Sequence, residues 1–233
     1  EVQIDDVKEL LDQMIACNTA IAQEGMHGDY GANIGKVIAI RKDLPSLLKA
    51  YAAAGSDARM NGCELPVVIN SGSGNQGLTV SVPLIIYAER EHLDKEKLYR
   101  ALVISNLTAI HLKTEIGRLS AFCGAVSAGA ACGAGLAYLK DASEEVMNHT
   151  IVNALAITSG IICDGAKASC AAKIAVSVEA GILGYDMYMN GQQFYGGDGI
   201  ISKGIENTIH NIGVLGSQGM ASTDQEIIKI MCE

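Results

Sequence analysis

A mainly α-helical fold, one compact domain with Gly- and Ala-rich buried helices, is predicted by three features of the sequence. Only three prolines occur in 233 residues, and 49% of the residues are hydrophobic. The hydrophobic residues recur in long runs at helical spacing. Strand-like character is confined to LPVVIN, residues 65–70, so we expect at most one short strand there.

Ten helices are predicted from this periodicity. Two of their starts carry clear capping signals: Ser143 precedes two glutamates, and Asp94 precedes a long amphipathic run. No internal repeat or low-complexity linker divides the chain, so residues 1–233 are treated as one domain. The predicted helices span residues 4–23, 33–42, 45–61, 76–89, 94–112, 119–140, 143–160, 167–182, 200–214 and 222–231.

Charge and hydropathy exclude two classes of partner. The formal net charge is -9 and no run of Lys and Arg occurs, which argues against binding to nucleic acid. Residues 119–139 carry no charge and are long enough to span a bilayer. They are rich in Ala and Gly, however, and no cluster of Lys or Arg flanks them. We therefore expect a buried helix and no membrane association.

The cysteines and the first residue bear on the origin of the chain. The seven cysteines are an odd number, and no secretory signal peptide precedes them. This favours a reducing compartment, the cytoplasm, and disfavours disulfides. Because the chain begins with Glu1 and enters an amphipathic stretch directly, we expect a piece of a longer protein.

The segment SGSGNQG, residues 71–77, follows the strand-like run and precedes a predicted helix. It lacks the Gly-Lys-Ser/Thr ending of a P-loop, and its spacing does not fit the dinucleotide fingerprint. Hydroxyls, an amide and backbone N–H groups at a helix start are suited to a small carboxylate, such as that of an amino or hydroxy acid. The candidate substrate-binding residues are Ser71, Gly72, Ser73, Gly74, Asn75 and Gln76.

Two pairs of cysteines differ in what helical geometry allows. Cys123 and Cys132 are nine residues apart in one predicted helix, which puts them roughly on opposite faces. Cys163 and Cys170 are too far apart along a continuous helix to be neighbouring ligands. A break at residues 164–165 removes that obstacle.

The break depends on Asp164, which we expect to cap a helix that begins near Ala166. Cys163 then lies in the preceding loop and can approach Cys170 at a helix N-terminus. The close cysteine pairs typical of zinc sites are absent. Three thiolates, from Cys123, Cys163 and Cys170, match an iron-sulfur cluster with one open iron, and buried core cysteines are the alternative.

Three stretches in order resemble a known family: INSGSGNQGLTVSVPLIIYAE, LSAFCGAVSAGAACGAG and ITSGIICDGAKASCAAKIAVSVEAG. Together they are similar to the C-terminal half of single-chain L-cysteine desulfidases, which are related to the alpha chains of iron-sulfur L-serine dehydratases. The resemblance implies an oxygen-labile 4Fe-4S cluster, lost in air, held by Cys123, Cys163 and Cys170. The dehydratases also use a C-terminal cysteine as a resting fourth ligand, so Cys232, near the C-terminus, is expected to be either that ligand or a free thiol on a frayed end.

The reaction implied is an α,β-elimination on a small amino acid, with L-cysteine as the expected substrate and L-serine as the alternative. Lys167, inside the cysteine motif, and His111, near the end of a helix, are the candidate bases. The expected partners are the amino-acid substrate, the missing N-terminal half of the protein, and further copies of the chain in a homo-oligomer. A non-catalytic amino-acid-binding domain and a pyridoxal-phosphate lyase remain alternatives.

Overall fold

The computed structural model describes residues 2–117 and 120–233. These residues form ten α-helices and one π-helical turn, and they contain no β-strand. The mainly α class is therefore confirmed. The helices are α1 (Ile4–His27), α2 (Ile34–Ala39), α3 (Leu44–Met60), α4 (Gly74–Arg90), α5 (Lys95–Ile116), α6 (Gly124–Leu139), α7 (Glu144–Thr158), α8 (Cys170–Met189), α9 (Ile205–Val214) and α10 (Ala221–Cys232), with the π-helical turn at Leu215–Gly219.

Every predicted helix overlaps an observed one, but two predictions near the candidate site need correction. The helix predicted for residues 119–140 begins at Gly124, and residues 120–123 are not helical; residue 119 lies outside the described residues. The strand-like residues 65–70 form no strand and make one isolated bridge, between Asn70 and Ser73, inside a turn. Both segments are short connections ahead of a helix.

Side-chain caps begin several helices as the sequence predicts. Ser143 accepts a hydrogen bond from the N–H of Val146 at 3.4 Å, and Asp94 accepts one from the N–H of Lys97 at 2.8 Å. Each bond satisfies an N–H group that has no partner within the helix. The capping signals therefore mark the starts of α7 and α5 correctly.

The centre of the fold is α6, which packs against α4, α5, α7 and α8. Nearly all of its residues are buried, and most of them are Ala or Gly. Small side chains let neighbouring backbones approach closely on every side. Among the described residues, no helix has both the length and the apolar character needed to cross a bilayer.

The contact between α6 and α8 is made through glycines. A Cβ placed on Gly129 would lie 2.4 Å from the carbonyl oxygen of Ser177, and one on Gly133 would lie 2.8 Å from Cα of Gly181. The residue numbers of the contacting positions increase in the same direction along both helices, so α6 and α8 run parallel. Their N-termini therefore lie at the same end of the bundle.

Helix α4 runs in the same direction. A Cβ on Gly124 would meet Nε2 of Gln76 at 2.6 Å, and a Cβ on Gly135 would meet a methyl carbon of Leu84 at 2.7 Å. The first turns of α4 and α6 are thus in contact, as are their later turns. Three helix N-termini meet at one end of the fold, which we call the N-terminal end of the bundle.

We predict that Gly181→Ala destabilises the protein by about 1–3 kcal/mol, because the new methyl group would lie 2.6 Å from the carbonyl oxygen of Gly129 and force α6 and α8 apart. The matched control is Gly160→Ala, whose methyl group would meet no atom within 4 Å. Urea unfolding of both variants tests this. Equal midpoints for the two variants would mean that the close crossing is not needed for stability.

Candidate functional site

Cys123 is the residue immediately before α6, and the segment that leads to it pairs with the segment around Cys163. The N–H of Cys123 donates to the carbonyl of Ile161 at 3.2 Å, and the N–H of Cys163 donates to the carbonyl of Ala121 at 2.6 Å. The central pair of this antiparallel bridge is Phe122 and Ile162. The residues on either side of that pair, which include Cys123 and Cys163, project to the same face. Cys123 and Cys163 occupy diagonal positions on that face, with Cα atoms about 7–8 Å apart.

Cys170 is the first residue of α8 and lies at the same end of the bundle. Cys123 precedes the crossing residue Gly129 by six positions, and Cys170 precedes Ser177 by seven. At 1.5 Å per residue, both cysteines therefore lie roughly 9–10 Å before the crossing of two parallel helices. Three cysteines from separate parts of the chain are thus brought to the N-terminal end of the bundle.

The loop from Cys163 to Cys170 contains the break that the sequence predicts. Gly165 has φ +92, a conformation that favours glycine. The loop folds back on Cys170, whose Sγ accepts from the N–H of Lys167 at 3.5 Å and donates to the carbonyl of Gly165 at 3.6 Å. The chain reverses between the two cysteines as expected.

The predicted role of Asp164 is wrong. The helix begins at Cys170 rather than near Ala166. Asp164 does not cap this helix and instead forms a salt bridge with Lys173. Lys173 also donates to the carbonyl of Ile162 at 3.0 Å. Side chains in a helix point toward its N-terminus, so a lysine in the first turn of α8 can reach the loop that precedes it.

Charges near the cysteines act on their protonation. The pKa of the Cys123 thiol is raised, mainly by burial. The N–H of Ala125 lowers this pKa and Cys163 raises it. Lys173 lowers it and Cys170 raises it by smaller amounts. These interactions place the thiols of Cys163 and Cys170 within electrostatic range of Cys123. Cys132 is fully buried inside α6, where burial alone raises its pKa.

Two lysines act on the same thiols. Burial lowers the pKa of Lys113, whereas Cys163 and Cys123 act to raise it. Burial also opposes the charge on Lys173, but the hydrogen bond with Asp164 and the nearby thiols raise its pKa overall. Lys113 therefore interacts with Cys163 and Cys123, and Lys173 with Cys123 and Cys170, and positive charge of this kind stabilises thiolates.

The predicted substrate segment forms a tight turn into α4. Ser71 and Gly72 both have positive φ, 48 and 79. Ser73 caps the helix by accepting from the N–H of Gln76 at 3.4 Å. Asn75 accepts from Nη1 of Arg59 at 3.3 Å, which adds a cation that the sequence reasoning missed.

Gln76 joins this turn to the cysteine group. Its side chain is 5% exposed, and its Oε1 atom is buried without a hydrogen-bond partner among the described residues. The other end of the same amide packs against Gly124, the residue after Cys123. The substrate segment therefore contacts the residue next to Cys123 in the chain.

A cleft of about 620 Å³ opens beside the turn. Lys113, 7% exposed, lies in its wall. A slightly larger cleft, about 650 Å³, lies between α7 and residues 193–205 and contains none of the cysteines. The cleft beside the turn, which we call the Lys113 cleft, is lined by Ser71, Gly72, Ile110, Lys113, Thr114 and Gly117.

Lys113 was not among the residues predicted from the sequence, although a signal was present. It is four residues after Ala109 and three before Ile116, both fully or almost fully buried in α5. A lysine at that spacing falls on the buried face of an amphipathic helix, where lysine is rare. An isolated charge inside an apolar stripe is the pattern to look for.

The two predicted bases lie in different surroundings. His111 is about half exposed, and its Nε2 lies 2.8 Å from Oε2 of Glu206. Two positions apart on a helix, His111 and Lys113 point to different sides. Lys167 is exposed within the cysteine loop, and its side chain forms no hydrogen bond with a described residue. Both remain predictions as bases.

The C-terminal helix reaches the cysteine loop. A Cβ placed on Gly165 would lie 3.2 Å from Cε of Met231, the neighbour of Cys232. Cys232 itself is exposed. None of the seven cysteines, all within the described part of the chain, is in a disulfide.

The three cysteines do not form a site for a single metal ion. Among residues 2–117 and 120–233, no three His, Cys, Asp or Glu side chains are grouped as ligands of one metal ion. An iron-sulfur cluster takes one thiolate at each of several separate irons, so its cysteines need not converge on a point. Cys123, Cys163 and Cys170 offer that arrangement, near the dipoles of α6 and α8.

We predict that Lys173→Met loosens the paired segments, because it removes the contacts that Lys173 makes with Asp164 and Ile162. The amides of Cys123 and Cys163 should exchange with deuterium about three- to tenfold faster. Hydrogen exchange followed by mass spectrometry measures this. Lys167→Met, in the same loop, is the control that should leave exchange unchanged; equal effects from both variants would contradict the role of Lys173.

Comparison with known proteins adds the family. The sequence model of the family described as "Serine dehydratase alpha chain" matches residues 1–229. The chain is 64% identical over 232 residues to a UPF0597 protein of Desulfitobacterium hafniense (strain Y51), covering 99% of this chain and 54% of that protein. It is 52% identical over 233 residues to a UPF0597 protein of Lachnoclostridium phytofermentans, covering 99% and 56%.

The chain spans about half the length of these curated relatives. No solved structure matches it. The family match extends over the cysteine group, the substrate segment and the Lys113 cleft. The chain therefore belongs to the serine dehydratase alpha chain family.

Proposed function

We propose that this chain is the C-terminal, catalytic part of an iron-sulfur lyase that carries out α,β-elimination on a small amino acid. The observation that carries the proposal is that three cysteines lie at the N-terminal end of the bundle, where Gly124, next to Cys123, packs against Gln76 of the SGSGNQG turn. Members of this family generally depend on iron-sulfur centres. The proposed ligands are Cys123, Cys163 and Cys170.

A bound 4Fe-4S cluster with an open iron would supply a Lewis acid for the β-thiol or β-hydroxyl group of the substrate. The protein would hold the amino acid in the Lys113 cleft, with Ser71 and Gly72 against its polar end. Removal of the Cα proton by a base and loss of sulfide or water give aminoacrylate, which hydrolyses to pyruvate and ammonia. Lys167 and His111 are the proposed bases.

The cysteine ligands would be held by backbone as well as by helix position. The two hydrogen bonds between residues 121–123 and 161–163 fix Cys123 and Cys163 relative to each other. Lys173 stabilises the second segment through Asp164 and Ile162. Cys232 is proposed as a resting ligand, and the contact of Met231 with the Gly165 position supports its approach.

The proposed partner is the remainder of a longer protein. The chain covers 54% of its relative from Desulfitobacterium hafniense, which is therefore substantially longer. Exposed apolar side chains flank the Lys113 cleft: Ile69 is 56% exposed, Leu107 50% and Ile110 45%. Burial of such a surface by another segment is favourable and would exclude water from the cleft. Alternatively, a second copy of the chain in a homo-oligomer would bury this surface. The proposed compartment is the cytoplasm.

We predict that anaerobic reconstitution with iron and sulfide gives a brown protein with broad visible absorption. Cys123→Ala, Cys163→Ala and Cys170→Ala should each lose most of that absorption, because each removes one thiolate ligand. Cys17→Ala, in α1, is the control and should colour like the wild type. A colourless wild type, or full colour in the Cys163→Ala variant, would exclude this ligand set.

We predict that the full-length protein releases sulfide from L-cysteine and does so faster than it forms pyruvate from L-serine. Both reactions are assayed without air, by sulfide and pyruvate determination. Faster turnover of L-serine would identify a serine dehydratase. Amino-acid binding with neither activity would identify a non-catalytic binding domain, and an absorption band removed by borohydride would identify pyridoxal phosphate.

A further inference from the structure

Lys113 is an unusual residue in this fold. It is 7% exposed, yet its ammonium group forms no salt bridge or hydrogen bond with any described residue. Burial of most of this side chain disfavours its charged form, and an anion bound in the cleft would offset that cost. The Lys113 cleft gives this ammonium group access to a ligand from outside.

Two other residues that line the cleft also offer unused donors. Ser71 and Gly72 form the turn before α4, and their backbone N–H groups donate to no described residue. The hydroxyl of Ser71 donates to Oδ1 of Asn70 at 2.9 Å, a bond within the same turn. Lys113 and the residues that carry these two N–H groups line the same cleft, a combination suited to a small anion.

Acidic side chains are absent from the wall of this cleft as far as the structure describes it. The remaining wall is made by Ile110, Thr114 and Gly117, and the hydroxyl of Thr114 donates to the carbonyl of Ile110 at 2.8 Å. The cleft therefore combines one positive charge with neutral surroundings. That combination fits a ligand with a single carboxylate.

We propose that Lys113 binds the α-carboxylate of the amino-acid substrate and thereby selects for substrates that carry one. This inference rests on the proposed function and adds the residue that positions the substrate. The carboxylate lies between the Lys113 ammonium group and the amides of Ser71 and Gly72. The β-carbon is thereby directed toward the cysteine group, whose members Cys163 and Cys123 lie within electrostatic range of Lys113.

The test compares two ligands that cannot undergo elimination, L-alanine and L-alaninamide, which differ in the negative charge of the carboxylate. Full-length protein, reconstituted without air, is titrated with each ligand in a calorimeter at pH 7. We expect the wild type to bind L-alanine about tenfold or more tightly than L-alaninamide. In Lys113→Met the two affinities should lie within about twofold of each other, and Lys113→Arg should retain most of the preference.

Lys97→Met is the matched control, on the same helix but 16 positions away, which is roughly 24 Å along the axis. It should bind both ligands as the wild type does. Methionine at position 113 removes a buried charge while keeping a similar volume, so we expect the variant to fold; Lys113→Gln provides a second variant without charge.

Three results would overturn the proposal. They are an unchanged preference for L-alanine in Lys113→Met, no binding of either ligand by the wild type, and loss of iron from Lys113→Met with the preference retained. The last would mean that Lys113 balances the charge of the thiolates. If the protein turns over its substrate but the preference for L-alanine does not depend on Lys113, only this inference is wrong. If the preference depends on Lys113 but there is no turnover, the proposed elimination reaction is wrong and the carboxylate site stands.

Discussion

The close crossing of α6 and α8 is the constraint on which the candidate site depends. Glycines at positions 129, 133 and 181 let the two backbones meet, and the helices run parallel from that point. Because Cys123 and Cys170 precede the crossing by nearly the same number of residues, the packing itself brings them to one end of the bundle. The site is therefore a consequence of helix packing, and only Cys163 needs a loop to reach it.

Electrostatics at this end of the bundle follow from the same arrangement. The N-termini of α4, α6 and α8 meet there, and each contributes partial positive charge. Burial opposes ionisation of Cys123, while Lys173 favours it. Lys113 lies between the thiols and the open cleft. Positive charge next to an open cleft suits both thiolates and an anionic ligand.

Much of the fold, and part of the site, is encoded in local sequence patterns. Hydrophobic periodicity identified all ten helices, because burial of one face imposes it, and Gly165 marked the break between Cys163 and Cys170. The role of Asp164 was mispredicted because a capping signal cannot reveal that Lys173, a turn into the next helix, competes for the same carboxylate. Lys113 was missed because its significance arises from a cleft formed with a distant turn.

Cys123, Cys163 and Cys170 are proposed to hold one iron-sulfur centre. The most direct measurement is the iron and acid-labile sulfide content of full-length protein purified without air and without reconstitution. We expect equal amounts of iron and sulfide, about four of each per chain. Iron without sulfide, or neither in protein that is folded and purified under strict exclusion of oxygen, would contradict it.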